Sequence, residues 1–166
     1  MLINIMPMNK ALFLDRDGVI NQERGVYTYK IEDFRLTSGI IPFLREALKK
    51  GYLLIVITNQ GGIAQGLYTE KDLEIVHQYM KKLLADEQII LTDIYYCPHH
   101  PSVSSCQCRK PRTLMLEQAM EKYHVNPSES LFVGDSLRDA EAGKRMGIPV
   151  LHIEPNEDLT RYLGSL

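Results

Sequence analysis

The stretch "ALFLDRDG", Ala11 to Gly18, decides the fold of this chain, because a short apolar run ends there in two aspartates. The run is continuous rather than alternating, which is typical of a strand covered on both faces of a parallel sheet. Residues two apart in an extended segment point the same way, so Asp15 and Asp17 can face one pocket. Two carboxylates that converge repel each other unless a cation joins them or one is protonated. The stretch predicts a buried strand ending in a metal or acid–base site, although an ordinary polar loop explains the pair equally well.

Similar apolar runs recur along the chain and alternate with segments of helical periodicity. The further predicted strands are "YLLIVITNQ" (52–60), "IYYC" (94–97), "SLFVGD" (130–135) and "VLHI" (150–153). The predicted helices cover 39–51, 69–88, 114–125 and 136–148. Thr69 and Asp72 have capping-box spacing at the start of the second helix. This alternation predicts an α/β fold with a doubly wound, mainly parallel sheet, and residues 18–39 are expected to form a small hairpin or flap over the site.

Length and composition favour one ordinary globular domain over 1–166. The chain has 166 residues, 45% of them apolar, and a formal charge of −2, which argues against a protein that holds the nucleic-acid backbone. The N-terminal "MLINIMPMNK" lacks the basic start and cleavage site of a signal peptide. No run approaches the roughly 20 apolar residues of a membrane span. We therefore expect a cytoplasmic protein without a membrane or nucleic-acid partner, whose thiols stay reduced.

Polar residues follow the other apolar runs as well. Thr58 and Asn59 end the second run, and the glycines after them let the chain turn close to an anion, although a common turn explains the same residues. Asp135 ends the fourth run and suits a metal site. Asp139 has two explanations, as a site residue or as the capping-box partner of Ser136.

All three cysteines lie close together in the segment 97–108. The pattern C-x-H-x6-C-x-C offers three thiolates and one imidazole, which is a closed tetrahedral shell for a structural Zn²⁺. The predicted ligands are Cys97, His99, Cys106 and Cys108, with His100 as the rival to His99. A redox centre is the alternative, but the last two cysteines do not have C-x-x-C spacing. The loop is followed directly by Arg109 and Lys110, which could grip phosphate oxygens or simply be solvated.

These motifs, in this order at four strand ends, resemble the haloacid dehalogenase superfamily of phosphotransferases. The resemblance implies that Asp15 attacks phosphorus to form an aspartyl-phosphate and that Asp17 serves as general acid and then general base. It implies that Mg²⁺ binds the side chains of Asp15 and Asp135 and the backbone carbonyl of Asp17. Thr58 and Lys110 would stabilise the phosphoryl oxygens.

A narrower resemblance covers nearly the whole chain. "YYCPHHP" and "CQCRKP", with "TNQGGIAQGLYTE" and "RGVYTY" upstream, look like the D-glycero-D-manno-heptose 1,7-bisphosphate 7-phosphatases of bacterial heptose and lipopolysaccharide synthesis. These enzymes are capless and carry a zinc loop, and the resemblance implies removal of the 7-phosphate from a small sugar bisphosphate. Because a capless site lacks a large lid, we expect a monomer with an open pocket. The implied substrate contacts are Glu23, Arg24, Gly25, Val26, Asn59, Gln60, Gly61 and Arg109.

Two alternatives stay open. Histidinol-phosphate phosphatases share the zinc ligands and the catalytic set. The short loop between His99 and Cys106 is closer to theirs, and Ser136 stands where a lysine is typical of the heptose enzymes. The second alternative is a non-catalytic zinc-loop binding module. A degenerate enzyme should have lost at least one of the catalytic residues, and all of them are present.

Overall fold

The computed structural model describes residues 8–166, so most of the N-terminal stretch considered as a signal peptide lies outside the described residues. Within them the strands are Lys10–Leu14 (β1), Tyr52–Asn59 (β2), Asp93–Cys97 (β3), Leu131–Gly134 (β4) and Val150–His152 (β5). The α-helices are Ile40–Lys49 (α1), Glu70–Asp86 (α2), Leu114–Tyr123 (α3) and Leu137–Arg145 (α4). Short 3-10 turns cover Ile31–Asp33, Pro127–Glu129 and Leu159–Ser165.

The strands form one parallel sheet in the order β3-β2-β1-β4-β5. The predicted doubly wound α/β fold is confirmed. From β1 the chain moves outward through β2 to β3 and then returns to β4 on the other side of β1. Ligands of such sheets bind beyond the carboxyl ends of the strands where the winding reverses. In this chain that place is the edge beside Leu14, which pairs with both Val56 and Val133.

The central strand is covered on both faces, as its continuous apolar run predicts. Leu12 and Leu14 belong to the core cluster under α1 and α2, whereas Ala11 and Phe13 belong to the cluster under α3 and α4. All four side chains are fully buried. Burial on both faces fixes β1 rigidly, and with it the direction in which the following aspartates leave the sheet.

Two helices begin with the capping boxes that their sequences predict. Thr69 and Asp72 cap each other at the start of α2, and Ser136 and Asp139 do the same at the start of α4. In a capping box the side chains satisfy backbone N–H groups that the helix leaves without partners. The second box matters for the site, because it fixes the carboxylate of Asp139 next to the carboxyl end of β4.

The segment 18–39 crosses the carboxyl edge of the sheet, and its antiparallel pairing is limited to one isolated bridge with no strand on either side. It is held by isolated bridges from Asn21 to Asp17 and to Leu36, together with the 3-10 turn. We call residues 18–39 the flap. No separate cap domain is present within residues 8–166. In the same part of the chain, no helix combines the length and apolarity needed to cross a membrane.

Candidate active site

The carboxyl edge of the sheet brings the predicted catalytic residues together. Asp15 follows β1, Asp135 follows β4, and Lys110 arrives from the segment between β3 and α3. A cavity of about 900 Å³ opens over these residues, and Asp17 also lines it. The wall contains flap residues on one side and the start of α4 on the other. This cavity is the candidate active site.

Lys110 is the buried cation of the site, with a side chain that is 2% exposed. Its Nζ lies 2.9 Å from Asp15 Oδ1 and 2.6 Å from Asp139 Oδ1, and it donates to the carbonyl of Ile57 at 2.7 Å. Burial by itself would lower the pKa of Lys110, but the two carboxylates outweigh burial and raise it. Lys110 therefore carries a fixed positive charge at the end of β1.

Three carboxylates surround that lysine. Ligand oxygens of Asp15, Asp135 and Asp139 lie within 4.8 Å of one another. Burial, and then the neighbouring carboxylates, raise the pKa values of Asp15 and Asp135 even though the charge of Lys110 opposes the shift. Gly18 permits this crowding, since a Cβ there would overlap the Asp135 carboxylate. Excess negative charge held among oxygen ligands is an environment that suits a hard divalent cation such as Mg²⁺.

Asp17 has a different environment from Asp15. Its Oδ1 accepts hydrogen bonds from Arg16 Nη2 at 2.8 Å and from Asn21 Nδ2 at 2.9 Å, and its Oδ2 accepts one from Gln60 Nε2 at 3.0 Å. Burial alone would raise the pKa of Asp17, but the charge of Arg16 and these hydrogen bonds lower it. Asp17 is thus held as a carboxylate, which is the form that a general base requires.

The cavity wall contains many of the residues that the sequence predicted as site residues. Those at the wall are Asp15, Asp17, Glu23, Gly25, Val26, Asn59, Gly61, Arg109, Lys110 and Asp135. Three others do not line the cavity. Arg24 forms an ion pair with Asp33, while Thr58 and Gln60 are buried behind the wall. The sequence therefore predicted which segments reach the site. It did not predict that the side chains of Arg24, Thr58 and Gln60 point away from the cavity.

Other wall residues were not predicted from the sequence. Tyr27, Tyr29 and Lys30 come from the flap, Leu67 from the loop before α2, and Arg138 from the first turn of α4. Aromatic residues at alternate positions of "VYTYK", followed by a lysine, are a signal that could have indicated the three flap residues. The predictions covered the strand ends, whereas these residues reach the cavity only because the chain folds back over the sheet.

Three cations at the wall have no ion-pair partner among the described residues. They are Lys30, Arg109 and Arg138. Arg109 is restrained by one hydrogen bond, from its Nη1 to the carbonyl of His99 at 3.1 Å. The three come from separate segments of the chain and leave positive charge available near the buried carboxylates.

The cysteine segment forms a second cluster next to the active site. One ligand atom from each of Cys97, His99, Cys106 and Cys108 lies within 4.8 Å of the others. His99 Nδ1 is 3.2 Å from Cys108 Sγ and 3.5 Å from Cys97 Sγ. A tetrahedral site with Zn–S bonds of about 2.3 Å has ligand atoms separated by roughly 3–4 Å. Cys97 Sγ lies 3.6 Å from Cys106 Sγ and 2.8 Å from Cys108 Sγ, so the described distances lie within or just below that range and the set suits a metal ion. His100 is outside the cluster and pairs with Ser102 Oγ at 2.7 Å.

Comparisons with known proteins agree with this geometry. The profile of the haloacid dehalogenase-like hydrolase family matches residues 19–153, more than half of the chain. A Haemophilus influenzae protein named D-glycero-beta-D-manno-heptose-1,7-bisphosphate 7-phosphatase is 43% identical over 141 residues, which are 82% of this chain and 76% of the relative. A Campylobacter jejuni protein named as the phosphatase of the alpha anomer is 45% identical over 142 residues, which are 86% of this chain and 80% of the relative.

A solved structure has the same fold. The D,D-heptose 1,7-bisphosphate phosphatase from B. bronchiseptica, complexed with magnesium and phosphate, superposes with a TM-score of 0.82 at 29% identity, covering 92% of this chain and 86% of the other. The chain therefore belongs to the haloacid dehalogenase-like hydrolase family, in which its high-identity relatives are named heptose 1,7-bisphosphate 7-phosphatases.

Proposed function

We propose that the protein is a Mg²⁺-dependent phosphomonoesterase that removes the 7-phosphate of D-glycero-D-manno-heptose 1,7-bisphosphate. The observation that carries the proposal is the pairing of Asp15 with the buried Lys110 at 2.9 Å, inside a cluster of carboxylates. A nucleophile and a cation for the phosphoryl group are then adjacent. The named relatives support the substrate.

Asp15 is the proposed nucleophile. Its Oδ1 accepts hydrogen bonds from the backbone N–H of Arg16 at 2.8 Å and is paired with Lys110, so these contacts leave Oδ2 free. Attack by a carboxylate oxygen of Asp15 would form an O–P bond while the ester P–O bond breaks. Water would then attack the aspartyl-phosphate, cleaving it to inorganic phosphate and restoring the carboxylate.

Asp17 is the proposed proton carrier. In the first step it would give a proton to the departing sugar oxygen, and in the second it would take a proton from the attacking water. The lowered pKa of Asp17 matches the second task directly. For the first task Asp17 must acquire a proton, and we propose that the negative charge of the bound phosphate favours this.

The proposed Mg²⁺ ligands are the side chains of Asp15 and Asp135 and the backbone carbonyl of Asp17. When bound, the ion would neutralise the carboxylates and the charge that develops on the phosphoryl oxygens. Lys110 would bind the same oxygens from the other side. We propose Thr58 for this group as well, on the resemblance alone, since it is the penultimate residue of β2 and its side chain is buried behind the cavity wall.

Charge at the cavity wall favours a sugar bisphosphate over histidinol phosphate. Lys30, Arg109 and Arg138 have no ion-pair partner among the residues that the structure describes, and all three line the cavity. A second phosphate would be attracted to them, whereas the amine of histidinol phosphate would be repelled. Ser136 stands where a lysine is typical of the heptose enzymes. Lys30 and Arg138 would supply the positive charge that this lysine would otherwise provide.

For the cysteine cluster we propose a structural Zn²⁺ bound by Cys97, His99, Cys106 and Cys108. Four protein ligands leave no open position for water, so the ion would do no chemistry. Its role would be to fold the loop that ends in Arg109 and Lys110. We also propose a monomer with an open pocket as the working unit, since no separate cap domain is present within residues 8–166.

The test is a comparison of kcat/KM with Mg²⁺ for heptose 1,7-bisphosphate in both anomeric forms, heptose 7-phosphate and histidinol phosphate. We expect the bisphosphate to exceed the 7-phosphate by about tenfold or more, since one charge-assisted contact is worth about 1.5–3 kcal/mol. A preference for histidinol phosphate would overturn the substrate assignment. Failure to hydrolyse any of these esters would overturn the proposed activity.

A further inference from the structure

We propose that Gln60 is a positioning residue that holds Asp17 and Thr58 in a fixed relation, with the hydroxyl of Tyr68 setting the orientation of its amide. This inference rests on the proposed function. It replaces the expectation that the Gln60 side chain contacts the substrate, because that side chain is fully buried and does not line the cavity.

The amide nitrogen of Gln60 joins two site residues. Nε2 donates to Asp17 Oδ2 at 3.0 Å and to Thr58 Oγ1 at 2.9 Å. A carboxamide has two N–H donors, so both are used. One planar group therefore connects the proposed proton carrier to the hydroxyl at the end of β2, and its backbone is fixed by a hydrogen bond from Gln60 N to the carbonyl of Cys97 at 2.8 Å.

Tyr68 determines which way the amide points. Its hydroxyl donates to Gln60 Oε1 at 2.6 Å, and the residue is 4% exposed. If the amide flipped, its oxygen would face the Asp17 carboxylate and its N–H groups would face the hydroxyl. The observed orientation avoids that repulsion and satisfies every polar atom of the side chain.

The surrounding chain is built to hold this tyrosine. A Cβ at Gly62 would overlap the ring of Tyr68, so the glycine permits the ring to cover the turn. Tyr29 stacks on the same ring with centroids 4.9 Å apart. Gly62, the second glycine of "TNQGG", was predicted to let the chain approach an anion. The structure gives another reason for a glycine here, which is the space that the Tyr68 ring occupies. Gln60 and Tyr68 together form a rigid support behind the cavity wall.

Loss of this support should affect the chemical steps more than binding. Arg16 Nη2 would still contact both oxygens of Asp17, Oδ1 at 2.8 Å and Oδ2 at 3.0 Å, and Asn21 would still donate to Oδ1. The carboxylate would lose one of the two described donors to Oδ2, so its orientation would be less tightly restrained. General acid–base catalysis contributes about 10²–10⁴-fold, and a displacement near 1 Å can cost about 100-fold. We expect kcat to fall and KM to change little.

The decisive variant is Gln60→Met, which keeps the length of the side chain and removes its donors. With Mg²⁺ present, kcat and KM are measured for an aryl ester, p-nitrophenyl phosphate, and for an alkyl ester, heptose 1,7-bisphosphate. Departure of an alkoxide needs the proton of Asp17 far more than departure of a nitrophenolate does. We expect kcat to fall about 10-fold or more for the alkyl ester and less for the aryl ester.

A second readout isolates the hydrolysis step. In acid-quenched samples with the aryl ester, the fraction of phosphorylated Gln60→Met enzyme should rise above the wild-type fraction, because water attack on the intermediate needs Asp17 as a base. A purely structural role of Gln60 would lower the amount of active enzyme without changing this fraction or the ratio between the two esters.

Two further variants keep the test decisive if Gln60→Met folds poorly. Tyr68→Phe removes only the hydroxyl and should shift the ester ratio in the same direction by a smaller factor. The matched control is Tyr123→Phe on α3, outside the cavity. It removes a hydroxyl that donates to Asp93 Oδ2 at 2.8 Å. It should lower Tm and leave the ester ratio unchanged.

Each outcome is informative. If folded Gln60→Met has the wild-type ratio of kcat values for the two esters, the positioning role is overturned. If Gln60→Met fails to fold, the same ratio in Tyr68→Phe overturns it. Neither result affects the proposed phosphatase activity. The positioning role is likewise overturned if Tyr123→Phe shifts the ratio as Tyr68→Phe does. A wild-type protein that hydrolyses neither ester overturns the proposed function and this inference with it.

Discussion

The side-chain amide of Asn59 clamps the main chain of Lys110 from both sides. Lys110 N donates to Asn59 Oδ1 at 3.0 Å, and Asn59 Nδ2 donates to the carbonyl of Lys110 at 3.2 Å. These two hydrogen bonds join the end of β2 to the main chain of Lys110 and so fix the position from which its side chain enters the site. Asn59 lines the cavity, so the prediction that it binds substrate stays open, and its two described hydrogen bonds also position the main chain of Lys110.

Replacing Asn59 with Ala should misplace Lys110. Two partly buried hydrogen bonds are lost, so we expect the free energy of unfolding to fall by about 1–3 kcal/mol and kcat to fall by about 10–100-fold. Steady-state kinetics and urea denaturation check this. Asn59→Asp keeps the acceptor for Lys110 N but replaces the donor to the Lys110 carbonyl with a carboxylate oxygen, so it should also lower kcat. A folded Asn59→Ala protein with wild-type kcat would contradict the clamp.

Asp139 is expected to matter for both charge and capping. Its Oδ1 lies 2.6 Å from Lys110 Nζ, and its Oδ2 accepts a hydrogen bond from Ser136 Oγ at 2.7 Å. Asp139→Asn should lower the free energy of unfolding by about 1.5–3 kcal/mol, because a buried charged hydrogen bond is lost, and should reduce kcat by leaving Lys110 paired only with Asp15.

Ser136→Ala is the control for Asp139→Asn. It removes the cap hydroxyl without changing a charge, so it should cost about 0.5–2 kcal/mol in the free energy of unfolding and leave kcat largely intact. Equal losses of kcat in Ser136→Ala and Asp139→Asn would show that Asp139 acts only as a helix cap.

The cysteine loop should lose stability and activity together when the proposed Zn²⁺ site is disrupted. Cys108→Ser deletes a ligand, and the loop that presents Arg109 and Lys110 is then no longer held. We expect less than one zinc per chain by elemental analysis, a lower Tm and a lower kcat. The matched control is His100→Ala, since His100 lies outside the cluster and should retain full zinc content. Unchanged Tm and turnover in Cys108→Ser would contradict the structural role.

Acid should destabilise the fold partly through His77. This residue of α2 is 3% exposed and packs against Arg16 after β1, at 3.4 Å, and against the ring of Tyr96 in β3. Burial, and then the charge of Arg16, lower the pKa of His77 to about 3, with Lys81 acting in the same direction and Asp17 opposing it.

The sign follows from the unfolded pKa of about 6.5. Above that pH His77 is neutral in both states and its contribution is fully present. As pH falls from 6.5 toward 3 the unfolded chain binds a proton that the folded chain excludes, so stability falls by at most about 1.4 kcal/mol per pH unit. Urea midpoints between pH 7 and 5 should decline less steeply for His77→Gln than for wild type. Parallel declines would contradict the assignment.

The sequence predicted the architecture well because that architecture depends on local pattern. A continuous apolar run such as Leu12 to Leu14 can be buried on both faces only in a covered sheet, and the capping box of Thr69 and Asp72 is set by four neighbouring residues. The convergence of Asp15 and Asp135 follows from the parallel order of the strands.

Side-chain direction in the turns could not be predicted in the same way. Asn59 ends β2 and Gln60 follows it. The Asn59 amide contacts the main chain of Lys110 and the Gln60 amide contacts Asp17, and both partners are distant in sequence. Arg16 lies between the two aspartates in the sequence and is fully buried. Its burial depends on Asp17 and on the carbonyl of Thr28, to which its Nη2 donates at 2.8 Å, and only the folded flap supplies that carbonyl.

The central claim is that Asp15 accepts the phosphoryl group. Mass spectrometry of enzyme quenched in acid during turnover tests it most directly, with Asp15→Asn as the comparison. We predict phosphate on the peptide that contains Asp15 in the wild-type protein. We also predict neither phosphopeptide nor turnover in an Asp15→Asn protein that remains folded and zinc-loaded. Phosphate on another residue, or full turnover in Asp15→Asn, would contradict the account.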